Sequence, residues 1–222
     1  MTAGTEGWAK DIQPVLDALE RSDTIRRIWA RDHTVWKPTP GEITDRLGWL
    51  TSLAEMRSHQ ADLEVFAAGI RREGFQKAVL LGMGGSSLAP EVFRRIFAAA
   101  PGFPELVMLD SVLPESILQV TRHLDPERTL FIVSSKSGTT IEPVCLTEYF
   151  WNWSRSAMGE SRAGARFVAI TDPETPLAQL AGERGFRQAF LNPPDIGGRY
   201  SVLSYFGLVP AALIGMKVGL LL

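Results

Sequence analysis

Residues 77–87 read Lys-Ala-Val-Leu-Leu-Gly-Met-Gly-Gly-Ser-Ser. The run Ala78-Val79-Leu80-Leu81 has no polar interruption. A strand with one wet face would alternate, whereas an unbroken apolar run suits a parallel strand covered by helices on both sides. The run then breaks into glycines and serines. Glycine lets the backbone turn sharply and approach another group closely, and the residues that follow read as a helix opening near Pro90. Strand, glycine turn and helix in that order are the unit of a doubly wound α/β fold.

The same texture recurs downstream in ELVMLD from Glu105, TLFIVSS from Thr129, ARFVAIT from Ala165 and FRQAFLN from Phe186. The intervening segments are long enough for helices. This spacing predicts a three-layer α/β/α sandwich around a five-stranded parallel sheet, with ligands bound beyond the carboxyl ends of the strands. Upstream, Ile12, Val15, Leu16 and Leu19, and later Leu47, Leu50 and Leu53, recur at helical spacing, and Lys37-Pro38-Thr39-Pro40-Gly41 interrupts them as a loop. The chain thus divides into a helical N-terminal segment, 1–74, and the α/β domain, 75–222. Leu203–Leu222 is apolar enough to resemble a membrane span, but Pro210, Lys217 and three glycines favour a buried core helix.

Composition narrows the function classes. With 45% hydrophobic and 22% charged residues over 222 positions, the chain has the material for a sizeable core. A formal charge of -2 offers no basic excess for nucleic acid or a membrane surface. One cysteine, Cys145, leaves no intramolecular disulfide and no metal-type spacing, so the expected setting is reducing and cytoplasmic. The first residues lack the apolar core of a secretory signal.

Three loops carry chemistry. Gly82-Met83-Gly84-Gly85-Ser86-Ser87 is a phosphate-loop candidate, because free amides and a helix N-terminus favour an anion. A tight connection explains it equally well. A dinucleotide fingerprint, with Ser87 in place of the last glycine and Asp110 as ribose ligand, fits less well. Ser134-Ser135-Lys136-Ser137-Gly138-Thr139-Thr140 follows another strand, and its hydroxyls and amides can donate several bonds to phosphate. The same residues also read as a capped turn, with Thr139 or Thr140 as N-cap and Glu142 in the first turn. Two such loops on one carboxyl edge make a phosphorylated ligand the leading expectation. In Asp195-Ile196-Gly197-Gly198-Arg199-Tyr200-Ser201, paired glycines project an arginine suited to stabilising an oxyanion, or simply to a surface ion pair.

In order and spacing, GMGGSSLAP, SSKSGTTIEP and GGRYSVLSYFGLVP resemble the glucose-6-phosphate isomerase family over most of Phe75 to Leu222, closest to the bacterial type also found fused to transaldolase. The resemblance implies a flavodoxin-like sugar isomerase (SIS) domain and reversible aldose-ketose isomerisation of glucose 6-phosphate and fructose 6-phosphate through an enediolate. It implies that Gly85 and Ser86 line the sugar-phosphate site, that Ser135, Lys136, Ser137, Thr139 and Thr140 hold the phosphate, and that Arg199 is catalytic. No cofactor or metal is implied. The pattern departs at Ser137 and Gly138, where many relatives have threonine and a bulky residue, and at Pro143, where threonine is common. The family's base glutamate, ring-opening histidine and late lysine belong to a second SIS domain beyond the GGR helix. His33, His59 and His123 match none of those positions, and Glu142 is a helix-start residue. The expected partners are therefore the phosphosugar, the missing C-terminal SIS domain or a partner subunit, and a second copy in a homo-oligomer, with neither nucleic acid nor membrane. A non-catalytic phosphosugar-binding SIS module is the alternative.

Overall fold

The computed structural model describes residues 6–222. Five strands form one sheet: β1 Lys77–Gly82, β2 Glu105–Leu109, β3 Thr129–Ser134, β4 Phe167–Thr171 and β5 Gln188–Leu191. Every pairing is parallel, in the order β2-β1-β3-β4-β5. These are the five expected strands, with β4 and β5 starting two residues later than their apolar runs. The order reverses between β1 and β3, which makes their carboxyl ends the topological switch point.

Residues alternate between two cores. Ala78, Leu80, Leu106, Leu130, Ile132, Val168, Ile170 and Phe190 face one layer, while Val79, Leu81, Leu109, Phe131, Val133, Phe167 and Ala169 face the other. The second layer is built by α6 (Pro114–Thr121), α7 (Ile141–Met158) and α9 (Pro176–Glu183), with the short α8 (Glu160–Ala163) beside them. The first is built by α5 (Gly85–Phe97) and α10 (Tyr205–Leu213) together with α3 (Trp49–Ser58) and α4 (Gln60–Arg72) from the N-terminal segment. Met56, Leu63, Ala67 and Ile70 of α3 and α4 are buried in that core. Preceding them are α1 (Glu6–Arg21) and α2 (Thr24–Trp29), and no helix or strand covers 37–40.

Two expectations need correction. The helix after β1 begins at Gly85, not near Pro90, which lies inside α5. A proline there cannot donate to the Ser86 carbonyl one turn back; the Ser134 hydroxyl donates to that oxygen instead, at 3.3 Å. Nor is 203–222 one long helix. α10 spans nine residues and stops where Gly215 turns left-handed (φ +82°). The N–H of Gly215 bonds the Ala212 carbonyl at 2.9 Å and that of Met216 bonds Ala211 at 3.0 Å, the paired bonds of a Schellman stop. A side chain at 215 would meet Phe103 at 2.6 Å. α10 reads apolar all round because α4, α5 and the turn before it enclose it. Among the described residues, no helix is long and apolar enough to cross a membrane.

Phe131 is fully buried and stacks on Phe150 and Phe167 at 4.7 and 4.9 Å. Phe131→Ala is expected to cost about 3–5 kcal/mol in urea unfolding through the cavity it leaves, and Phe131→Leu clearly less. On α5, Glu91 accepts two bonds from Arg94, at 2.8 and 2.9 Å. Those bonds outweigh its partial burial and, helped by Arg95, bring its carboxyl down to about 2 from 4.5. A depressed folded value stabilises above the unfolded pKa and is lost as pH falls from 4.5 towards 2. The pair is solvent-screened, so the effect should be about 1 kcal/mol or less. Glu91→Gln should lower stability at about pH 7 and do so clearly less at about pH 2 in parallel urea titrations.

Candidate functional site

The three glycine and hydroxyl loops converge on the switch point. Gly82 ends β1 opposite Ser134 at the end of β3, and the Ser134 to Ser86 bond fastens the first loop to the second. The third loop is fastened by contact: a methyl on Gly85 would sit 2.4 Å from the Gly198 carbonyl oxygen. The Ser201 hydroxyl spans the junction, donating to Gly198 O at 2.7 Å and reaching Gly85 O at 3.4 Å.

At the first loop, Gly84 has φ +54° and ψ −122°, a backbone that side chains rarely adopt. Gly85 and Ser86 are the first residues of α5. At the second, Thr140 is the N-cap residue of α7 but makes no side-chain capping bond. Ser135 is buried and donates to Thr140 Oγ1 at 3.4 Å, while exposed Ser137 accepts from the N–H and hydroxyl of Thr139 at 3.3 and 2.9 Å. Among the described residues, the N–H groups of Gly84, Gly85, Lys136, Ser137, Gly138 and Thr140 have no protein acceptor. Unpaired amides gathered at two helix starts are donors of the kind that favour an anion. Gly138 has φ +67°, and a side chain there would meet the Leu177 N–H at 2.8 Å, so the turn is pressed against the start of α9.

The Lys136 ammonium is committed away from these amides. It pairs with the Asp172 carboxylate and donates to the Pro194 carbonyl at 2.7 Å. Burial pushes the Asp172 carboxyl up, and the bond from Lys136 opposes that shift.

Arg199 is exposed, makes no ion pair among the described residues, and lines a cleft of ≈ 660 Å³ with Gly85, Gly198, Trp36, Arg46 and Trp49. The aromatic and cationic contributions from the N-terminal segment were not legible as a motif. Trp49 stacks on Tyr200 with ring centres 5.5 Å apart. Asp195 holds the wall in place, accepting from Arg31 at 2.8 Å while its carbonyl accepts from the Gly48 N–H at 2.8 Å. Leu47 and Ile196 form an antiparallel bridge beside it. Glu42, on the cleft wall, is an exposed carboxylate 3.8 Å from Arg46. None of the histidines lines this cleft: His33 bonds the Pro38 carbonyl at 3.2 Å, His59 lies against Tyr205, and His123 bonds the Gln119 carbonyl at 2.8 Å. Among the described residues there is no acidic, cysteine and histidine cluster of the kind that holds a metal.

The family model of phosphoglucose isomerase matches residues 52–219. A glucose-6-phosphate isomerase of Thermus thermophilus is 36% identical over 82% of this chain and 42% of its own length. That of Rubrobacter xylanophilus is 34% identical over 96% of this chain and 49% of its own. Among solved structures, a hypothetical protein of Thermus thermophilus superposes with a TM-score of 0.79 at 32% identity, covering 98% of this chain and 48% of that one. A glucose-6-phosphate isomerase of Chlamydia trachomatis superposes with a TM-score of 0.65 at 26% identity, covering 88% and 35%. The chain spans about half the length of the curated relatives it matches, between 42% and 49% for these two. With the three loops, the sheet order and these matches in agreement, the chain belongs to the phosphoglucose isomerase family.

Proposed function

We propose that this chain supplies the phosphosugar-binding half of a glucose-6-phosphate isomerase, acting on glucose 6-phosphate and fructose 6-phosphate. The observation that carries this reading is the set of unpaired amides, with hydroxyls clustered beside them, at the two helix starts beside β1 and β3. Backbone donors at 84–85, 136–138 and 140, with the hydroxyls of Ser86, Ser135, Ser137, Thr139 and Thr140, suit a phosphate dianion without many formal charges. On this reading Arg199, across the Gly85–Gly198 contact, faces the reacting carbons and stabilises the enediolate oxygen; its exposure and its lack of an ion pair among the described residues support that role. Proton transfer between C2 and C1 needs a positioned base; on this reading the remainder of the protein or a partner subunit provides it. The same reading has the protein working in the cytoplasm as a homo-oligomer.

Calorimetry of the 222-residue chain with fructose 6-phosphate, followed by a coupled isomerase assay on the same sample, tests it. Binding without turnover is expected. Turnover would overturn the assignment of the base to another segment, and absence of binding would show that this half does not form the site alone. Ser86→Trp and Thr140→Trp should each weaken binding by about tenfold or more, roughly 1.4 kcal/mol; unchanged affinity in both rejects the pocket. Gly85→Val is expected to weaken binding too, by prising Gly198 and Arg199 away from the first loop. Faster hydrogen exchange over 195–201 would report that displacement.

A further inference from the structure

We propose that Lys136 is a positioning residue, whose side chain acts as a strut between the 135–140 turn and the arm that carries Arg199. The proposal rests on the reading that this turn binds phosphate, and it assigns the lysine side chain a different task from the hydroxyls and amides around it. The Lys136 ammonium is held by the Asp172 carboxylate and by the Pro194 carbonyl at 2.7 Å. At its other end, the Lys136 carbonyl accepts from the Asp172 N–H at 3.1 Å and from the Thr171 hydroxyl at 3.3 Å. The residue is gripped at both ends by the close of β4.

Three features make this grip hard to exchange for a phosphate. The Asp172 side chain is only 13% exposed. Its second oxygen is buried without a partner among the described residues. Swinging the ammonium away would leave a carboxylate buried with no cation, which costs more than the pair gains by forming. The third is geometric: Pro194 precedes Asp195, which fastens the N-terminal segment through Arg31 and Gly48. A lysine tied to Pro194 therefore sets the second loop against the third, just as the Gly85–Gly198 contact sets the first.

Asp172→Asn separates a strut from a phosphate ligand. A ligand lysine held back by Asp172 would be released, and inorganic phosphate would bind more tightly. A strut would be lost, so Asp172→Asn and Lys136→Met should each weaken fructose 6-phosphate binding by about tenfold. The double variant should be no weaker than either single one, because both remove the same connection. Lys136→Arg should restore part of the affinity. Tighter phosphate binding by Asp172→Asn, or additive losses in the double variant, overturns the proposal.

A second readout needs no ligand. Under limiting acetylation with an N-hydroxysuccinimide ester, mass spectrometry should find Lys136 modified about tenfold more slowly than exposed Lys10, Lys37 and Lys217, at matched intrinsic reactivity. Asp172→Asn should remove that protection. Rapid modification of Lys136 in the unaltered chain overturns the strut whether or not phosphate binds. Protection of Lys136 in a chain that binds no phosphate would keep the strut while showing that this half does not form the phosphate site alone. If Lys136→Met fails to fold, Asp172→Asn and the acetylation rates still decide.

Discussion

Gly85 and Gly198 lie so close that neither loop could hold its place if the first carried a side chain: a methyl on Gly85 would stand 2.4 Å from the Gly198 carbonyl oxygen. This approach of two backbones, 113 positions apart in the numbering of the chain, brings the first and third loops to a single point. It happens at the switch point because α5 leaves β1 on one face of the sheet while α7 leaves β3 on the other, opening a crevice between them. Ser134 and Ser201 then bind carbonyls across the seam, so the loop geometry is held by bonds from neighbouring elements as well as by each loop's own turn.

The N-terminal segment is part of this construction. α4 and α10 cover the sheet face that α5 alone leaves bare, and the stretch before α3 continues onto the third loop through Leu47, Gly48 and Arg31. A methyl on Gly48 would lie 2.2 Å from an Asp195 oxygen, so a side chain there would displace the carboxylate that Arg31 holds. The cleft beside Arg199 is consequently walled by two segments that share no motif, with Trp49 and Tyr200 stacked across their junction.

The two helix starts beside β1 and β3 present few charges. Lys136 is committed to Asp172 and Pro194, which leaves backbone amides and hydroxyls as the donors there. Fixed dipoles of this kind act at short range, unlike the long-range attraction of a basic surface, and the chain's formal charge is -2. Arg199 remains the exposed cation of the cleft whose charge is not neutralised by an ion pair among the described residues; Arg46 beside it sits 3.8 Å from Glu42.

Taken by themselves, the residues determined the inner strands, because a run such as Ala78–Leu81 or Leu130–Val133 must be covered on both faces wherever it lies, whereas β5 at the sheet edge has only Phe190 buried. They also determined where the first two loops stand, since each directly follows such a run. Helix limits were less legible: Pro90 read as a helix start, yet a hydroxyl from another strand satisfies the Ser86 carbonyl, and 203–222 read as one core helix, yet a left-handed glycine stops α10 after nine residues. The direction of the Lys136 side chain could not be read from Ser-Lys-Ser, because its partner Asp172 lies 36 positions away and is brought near only by β3–β4 pairing. The Arg31 to Asp195 bond spans 164 positions. Local pattern reports what a residue must bury, whereas the partner of a charge or a bare carbonyl is chosen by whichever distant element the sheet order sets beside it.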